Sequence, residues 1–244
     1  MSHGSQQSAR TVPTHETGSR PVIDFEQLID EHLAAQEDDD SHTELDPSVF
    51  HPSSVGYDKW LIFVKKLGLS DTSDLYGTFQ TGQMIHEFVQ GVLQERASDR
   101  YGIETPVQFS EDGLTFTGHA DIYDRVTGTL YDIKSRSNWY HFDPPVDRHI
   151  DQLHCYMRGL DVDRAQVVYI SKSDMEVRTW PEAAPFTFDD ERWATIKARV
   201  RDVRDAILDH GFPQSESEIP FERPDNYFAN TTDLDFSRFA TTDE

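Results

Sequence analysis

Cysteine is nearly absent: Cys155 is the single one among 244 residues. That excludes an internal disulfide and any metal site built from several thiolates. It fits a reducing compartment, and the expected location is cytoplasmic. Lysine is also scarce, at six against sixteen arginines. No run of about 18 apolar residues occurs, so no membrane-spanning helix is expected. The amino-terminal stretch lacks the apolar centre of a secretory signal.

Acid, by contrast, is abundant. Asp and Glu number 45 against 22 Lys and Arg, a formal net charge of −23. Such acidity often marks disorder. The 15 Phe, 9 Tyr and 4 Trp are too many aromatics for a disordered chain. A folded core under an acidic, lysine-poor surface is expected, adapted to molar salt as in a haloarchaeon or its viruses and plasmids. Screening there acts over a few ångströms, and carboxylates keep the surface hydrated. Net negative charge normally argues against nucleic acid. In molar salt that objection weakens, because counterion release contributes little for any protein. Binding would then rest on shape, metal bridging and stacking.

Three segments are expected. Residues 1–46 begin with a polar tail over 1–20 and hold a short helix over 23–33. They end in an acidic linker containing Glu37-Asp38-Asp39-Asp40. Residues 47–213 form the main domain, and residues 214–244 a loosely ordered segment packing on it. Within the main domain a helix capped by Ser53 or Ser54 carries Val55, Trp60, Phe63, Val64 and Leu67 and stops at Gly68. A second helix, from about Phe79 to Arg100, carries a stripe of Met84, Ile85, Phe88, Val92 and Leu93, with His86 on its flank. The period then changes to two. Strands are expected over 104–110, 114–123 and 129–135, then a helix over 147–159 and a hairpin over 164–180. A long helix over 187–209 buries Trp193, Ile196, Val200, Val203 and Ile207. Thr187 and Asp190 resemble its capping box, and Gly211 and Pro213 end it. This order predicts an α/β fold, a mixed sheet flanked by helices.

The chemistry gathers on Gly118–Lys134. Positions two apart on a strand share a face, so Asp132 and Lys134 point one way and Ile133 the other. Antiparallel pairing across the Asp124–Gly128 turn can bring Asp121 beside Asp132. Neighbouring carboxylates are costly unless a cation lies between them, and carboxylate oxygens suit Mg²⁺ or Mn²⁺. An isolated Asp-x-Lys is more often a surface ion pair worth under about 1 kcal/mol. Gln152 and Tyr156 lie four apart on the following helix and share a face. His86 could supply a nitrogen ligand. His149 and His154, five apart, do not share a face well, and with Cys155 they are read as structural.

Gly82 and His86, then Gly118 and Asp121, then Asp132 and Lys134, then Gln152 and Tyr156 form an ordered set. It resembles the RecB-type branch of the PD-(D/E)XK nuclease superfamily over about residues 50–180. That resemblance implies a restriction-endonuclease-like mixed sheet. It implies metal ligands at His86, Asp121, Asp132 and the Ile133 carbonyl, with Lys134 as the catalytic lysine. Glu104 stands where some members carry an additional acid. Pro52–Tyr57 is also similar to CRISPR-associated and helicase-linked members that carry an iron–sulfur cluster. Tyr57 here stands near their first cysteine and no cysteine follows Gly211, so the cluster is excluded. Packing of Phe221, Tyr227 and Phe228 near Tyr57 and Trp60 is expected to tie the ends together instead.

The resemblance implies a Mg²⁺- or Mn²⁺-dependent deoxyribonuclease, an exonuclease acting on DNA ends or single strands and leaving a 5′-phosphate. Its partners would be recombination, repair or CRISPR-adaptation proteins. Trp139, Tyr140 and His141 could stack on unpaired bases or simply anchor their loop. The rival reading is a non-catalytic DNA-end or protein-docking module.

Overall fold

The computed structural model describes residues 45–71, 76–140 and 142–237, all within one compact unit spanning residues 40–244. The tail, the helix over 23–33, most of the acidic linker, His141 and the last seven residues lie outside the described residues.

The strands are β1 (Val49–Phe50), β2 (Ser70–Asp71), β3 (Tyr101–Glu111), β4 (Leu114–Asp124), β5 (Thr129–Arg136), β6 (Arg164–Ser171), β7 (Val177–Trp180), β8 (Phe186–Thr187) and β9 (Asp233–Leu234). The helices are α1 (Lys59–Lys66), α2 (Tyr76–Ala97), α3 (Asp147–Leu160), α4 (Asp190–His210) and α5 (Tyr227–Asn230). Seven strands form one mixed sheet along the path β1-β4-β5-β6-β7, with β3 paired to β4 and β8 to β6. β2 and β9 form a separate antiparallel pair. This is the expected α/β architecture.

The sheet has two covered faces. Leu130 of β5 and Val167 and Tyr169 of β6 meet Ile150, Leu153 and Met157 of α3. Ile133 and Ile170, from the alternate positions, meet Ile85, Val89 and Leu93 of α2. β5 and β6 pair in parallel, from Thr129–Arg164 to Arg136–Ser171, with α3 as the crossover that parallel pairing requires. A further core lies between α1 and α4, where Trp60, Phe63 and Val64 pack with Ile196, Val200 and Val203.

Three local expectations are corrected. Asp58, not Ser53 or Ser54, caps α1 by accepting from the Leu61 amide at 2.8 Å. Residues 52–57 form turns, and a Cβ on Gly56 would lie 2.5 Å from the Arg148 Cα, so this turn rests directly on α3. Asp189, not Thr187, caps α4, accepting from the Glu191 and Arg192 amides. The α2 stripe is split: Ile85 and Leu93 face the sheet, whereas Met84, Phe88 and Val92 are exposed. Burial selects only one side of this helix.

The carboxyl-terminal segment is held against the first helix and the turn before it by aromatic contacts. Tyr57 packs edge-on against Phe228 at 5.5 Å, Phe63 against Phe221 at 5.7 Å, and the Arg223 guanidinium sits 4.8 Å over Trp60. An ionic tie, absent from the sequence reading, accompanies them. Buried Asp151 accepts from Arg192 Nε at 2.6 Å and Arg199 Nη1 at 2.8 Å, and Arg199 also donates to the Val55 carbonyl. One carboxylate thus joins α3 and α4, and through Arg199 the turn before α1.

Candidate active site

The turn between β4 and β5 is fixed by Asp124. Its carboxylate accepts from Arg100 Nε at 3.0 Å and Nη2 at 2.6 Å, the Val126 amide at 3.0 Å and the Thr127 hydroxyl at 2.9 Å. Arg100, with those donors, holds the Asp124 carboxyl well below the usual range. Gly128 closes the turn at φ +67°, where a Cβ would be strained.

From that turn the β4–β5 ladder runs only through Asp124–Thr129, Tyr123–Leu130 and Ile122–Tyr131. Beyond it the Asp121 side chain takes over: Oδ2 accepts from the Ile133 amide at 2.6 Å. The β3–β4 ladder breaks at the same level. Pairing is continuous on either side, but Glu104 and Asp121 are skipped, and Glu104 adopts φ 45°, which is unfavourable for a residue with a Cβ. The inward face changes there in both strands. Tyr101, Ile103 and Ile122 pack toward α2, whereas Val107, Phe109 and Ala120 pack toward α3. This joint turns Glu104 and Asp121 out of the ordinary alternation.

α2 brings His86 to the joint. Gly82, one turn earlier, lets the helix approach β5; a Cβ there would meet the Ser135 hydroxyl at 3.3 Å. His86 Nδ1 lies 3.6 Å from Asp121 Oδ2. Burial and the Lys134 charge lower the His86 pKa against the pull of Asp132, Glu104 and a bond to the Ile133 backbone. The ring is therefore neutral at neutral pH and has a lone pair to offer. One donor atom each from His86, Glu104 and Asp121 lie within 4.8 Å of one another. Gln90 of α2 donates to Glu104 from behind.

Asp132 stands apart from that triplet, turned to Lys134. Nζ is 3.0 Å from Oδ1 in hydrogen-bond geometry and 2.8 Å from Oδ2. Oδ2 is buried and receives no hydrogen bond; its approach to Nζ is electrostatic and off the bonding direction. Burial raises Asp121 and Asp132 each to about 6, against the Lys134 charge. For Lys134 burial disfavours the ammonium, but Asp132 and Asp121 outweigh it and hold the amine above its ordinary value. Lys134 is thus a cation in the site as described.

α3 supplies the next wall. Gln152 Nε2 donates to the Tyr156 hydroxyl at 3.4 Å. The Tyr156 pKa is pushed up by burial and by Asp132. Gly118 makes room for this ring: a Cβ there would lie 3.0 Å from Pro52 and 3.6 Å from Tyr156. His86, Glu104, Ile133, Lys134 and Gln152 all line one cleft of about 820 Å³.

Trp139 and Tyr140 are not part of that cleft wall. Trp139 packs on Phe142 and under Arg178, and Tyr140 is 81% exposed. His149 and His154 are engaged separately. His149 Nδ1 meets the Tyr169 hydroxyl at 3.2 Å. His154 Nδ1 meets the Ile150 carbonyl, and its Nε2 accepts from the Asp189 amide. The sequence reading missed Arg136, Arg148 and Lys172, which also line the cleft. The signal for two was available: Arg136 continues the parity of Asp132 and Lys134, and Arg148 precedes Gln152 by one helical turn.

The residues fit a divalent cation. Two buried carboxylates with raised pKa values, a neutral imidazole and an acidic oxygen without a donor are the pattern that a hard or borderline cation relieves.

A family model of the PD-(D/E)XK nuclease superfamily matches residues 26–218. No curated protein matches the sequence. The crystal structure of SSO0001 superposes with a TM-score of 0.54 at 18% identity, covering 77% of this chain and 89% of that one; the likeness is one of fold. An alkaline exonuclease from Laribacter hongkongensis, LHK-Exo, aligns with a TM-score of 0.48 at 15% identity, covering 66% of this chain and 89% of that one. With a match that spans most of its length, on a mixed sheet whose β4–β5 junction gathers His86, Asp121, Asp132 and Lys134, the chain belongs to the PD-(D/E)XK nuclease superfamily.

Proposed function

We propose that this protein is a divalent-metal-dependent deoxyribonuclease of the RecB-type branch, acting as an exonuclease on DNA ends or single strands. The observation that carries the reading is the convergence of His86, Glu104 and Asp121 within 4.8 Å, beside the buried Asp132–Lys134 pair. His86, Asp121, Asp132 and the Ile133 carbonyl would hold Mg²⁺ or Mn²⁺, with Glu104 as an added oxygen donor. The cation, when bound, would neutralise a phosphate oxygen and acidify a water.

The protein's own groups do the rest. Lys134 presents a fixed positive charge where negative charge grows on the phosphate oxygens, the kind of stabilisation that contributes most in a partly dry site. Gln152 offers an amide beside it, and Tyr156 keeps its proton and so orients Gln152 as an uncharged partner. Exonucleolytic mode and a 5′-phosphate product rest on the family resemblance. Exposed Tyr140, with Trp139 and His141, is the proposed stacking surface for unpaired bases. Recombination, repair or CRISPR adaptation is the proposed setting, in a salt-rich cytoplasm.

Nuclease assay in high KCl with Mn²⁺ tests the reading. Wild type should cleave DNA, while Asp132→Ala and Lys134→Ala lose at least about 100-fold. Equal cleavage by all three would overturn it. In that event, tight DNA binding without Mn²⁺ binding would identify a docking module instead.

A further inference from the structure

Acidic residues outnumber basic ones two to one in this chain, 45 to 22, and most basic groups near its core are claimed by a carboxylate. Arg100, Arg158, Arg192, Lys197 and Arg199 all have such partners. Two arginines of the cleft break that pattern. Among the described residues no carboxylate forms an ion pair with Arg136 or Arg148.

Each is held by an aromatic ring instead. The Arg136 guanidinium sits 4.4 Å over Phe142. The Arg148 guanidinium sits 4.5 Å over Phe228 and 5.7 Å over Tyr57. A ring holds the charge in place without consuming the in-plane N–H donors that recognise a phosphate. Arg136 Nε is buried and has no hydrogen-bond partner, which is costly unless a ligand supplies an acceptor. Both arginines lie beyond Lys134 on the α3 side. Arg136 shares its strand face, and Arg148 acts on its charge. His149 between them is pulled down to about 2 by burial, Lys134, Arg148 and Arg136. His86 and Glu87 reach the cleft from α2 and Glu104 from β3, whereas Arg136 comes from the end of β5, Arg148 from α3 and Lys172 from the residue after β6.

We infer that Arg136 and Arg148 form a phosphate clamp that grips a backbone phosphate of the substrate strand next to the one cleaved at Asp121, Asp132 and Lys134. This rests on the nuclease reading for its choice of ligand. It assigns the strand a path across the cleft, from His86 and Glu104 toward the arginine pair. It also gives the carboxyl-terminal segment a part in binding, since Phe228 of α5 forms the rest for Arg148.

The test is a methylphosphonate walk. A short single-stranded oligonucleotide carries one uncharged methylphosphonate at a time, and binding is read by fluorescence anisotropy in EDTA, without turnover. Wild type should lose about tenfold in affinity at one position, the cost of a charge-assisted bond. Arg136→Gln or Arg148→Gln should lose a similar factor on the unmodified strand and lose nothing further at that position. Arg164→Gln, the same charge change at the exposed start of β6, should behave as wild type. If Arg148→Gln does not fold, Arg148→Lys, which keeps the charge and removes the fork, replaces it. An unchanged penalty in the arginine variants, or no sensitive position, overturns the clamp. So does competition by inorganic phosphate without any sensitive position, which would make the pair a free-anion site. Cleavage with Mn²⁺ is scored separately. A positive walk without cleavage leaves the clamp standing and removes the nuclease reading; cleavage without a sensitive position does the reverse.

Discussion

Asp121 and Ile133 are joined by a hydrogen bond that takes the place of a missing rung. The carboxylate Oδ2 accepts from the backbone N–H at 2.6 Å, one step past the last paired residues, Ile122 and Tyr131. The bond continues the register of β4 on β5 while letting the strands carry a site between them. Replacing Asp121 by Asn keeps an acceptor for that amide and removes a buried charge. The metal-free Asp121→Asn protein should be more stable than wild type by roughly 1–3 kcal/mol at neutral pH, because burial disfavours the ionised carboxylate. Thermal or denaturant unfolding in EDTA measures this, and a destabilised variant would show that the charge was not under strain.

The same carboxylates give a pH signature. Asp121 and Asp132 are raised to about 6 in the fold, so over the range between their unfolded and folded values the native state binds more protons. Their contribution to metal-free stability is therefore greatest at low pH and falls as pH rises through about 6. A cation needs both groups ionised, so its effect has the opposite trend. The melting-temperature difference between Mn²⁺ and EDTA should be small near about pH 5 and widen toward about pH 8. A difference that does not change with pH would separate these acids from metal binding.

Asp124 is the pin of the turn that sets this register. Asp124→Ala strands the Val126 amide and the Thr127 hydroxyl as well as Arg100, and should cost about 1–3 kcal/mol. Because its pKa is lowered in the fold, its stabilising effect is present above the unfolded value and disappears as pH falls toward the folded one. Denaturant unfolding of wild type and variant should converge in strong acid and separate above about pH 4.

Asp151 gathers two arginines at 2.6 and 2.8 Å and through them ties α3, α4 and the turn before α1. Breaking one side of a buried ionic network typically costs about 3–5 kcal/mol. Arg192 and Arg199 retain partial exposure, so Asp151→Ala should cost nearer about 3 kcal/mol. Chemical denaturation in high salt measures it, and a loss below about 1 kcal/mol would mean the aromatic contacts of the carboxyl-terminal segment suffice.

The sequence disclosed elements whose period is long and one-sided. The α4 stripe of Trp193, Ile196, Val200, Val203 and Ile207 is buried throughout, and β6 and β7 form the hairpin expected over 164–180. The shared face of Asp132 and Lys134 also follows from strand parity alone. Parity failed at the joint. Glu104 at φ 45° reverses which residues face inward, and nothing in a two-residue period signals a reversal. Two-residue strands such as β1, β2, β8 and β9 are too short to show a period. Asp151 is one polar residue on a helix, and its meaning depends on arginines 41 and 48 residues away. The arginine pair was hidden by the overall acid excess, which draws attention away from the few bases lacking acid partners.

On the proposed reading, one cation site built on Asp121 drives phosphodiester cleavage. The most direct measurement is single-turnover cleavage of an end-labelled DNA strand against Mn²⁺ concentration, alongside calorimetric Mn²⁺ binding, for wild type and Asp121→Asn. Wild-type cleavage should saturate with the binding curve and stop in EDTA, and Asp121→Asn should lose both binding and cleavage. Cleavage that persists in EDTA, or that Asp121→Asn retains at the wild-type rate, would contradict it.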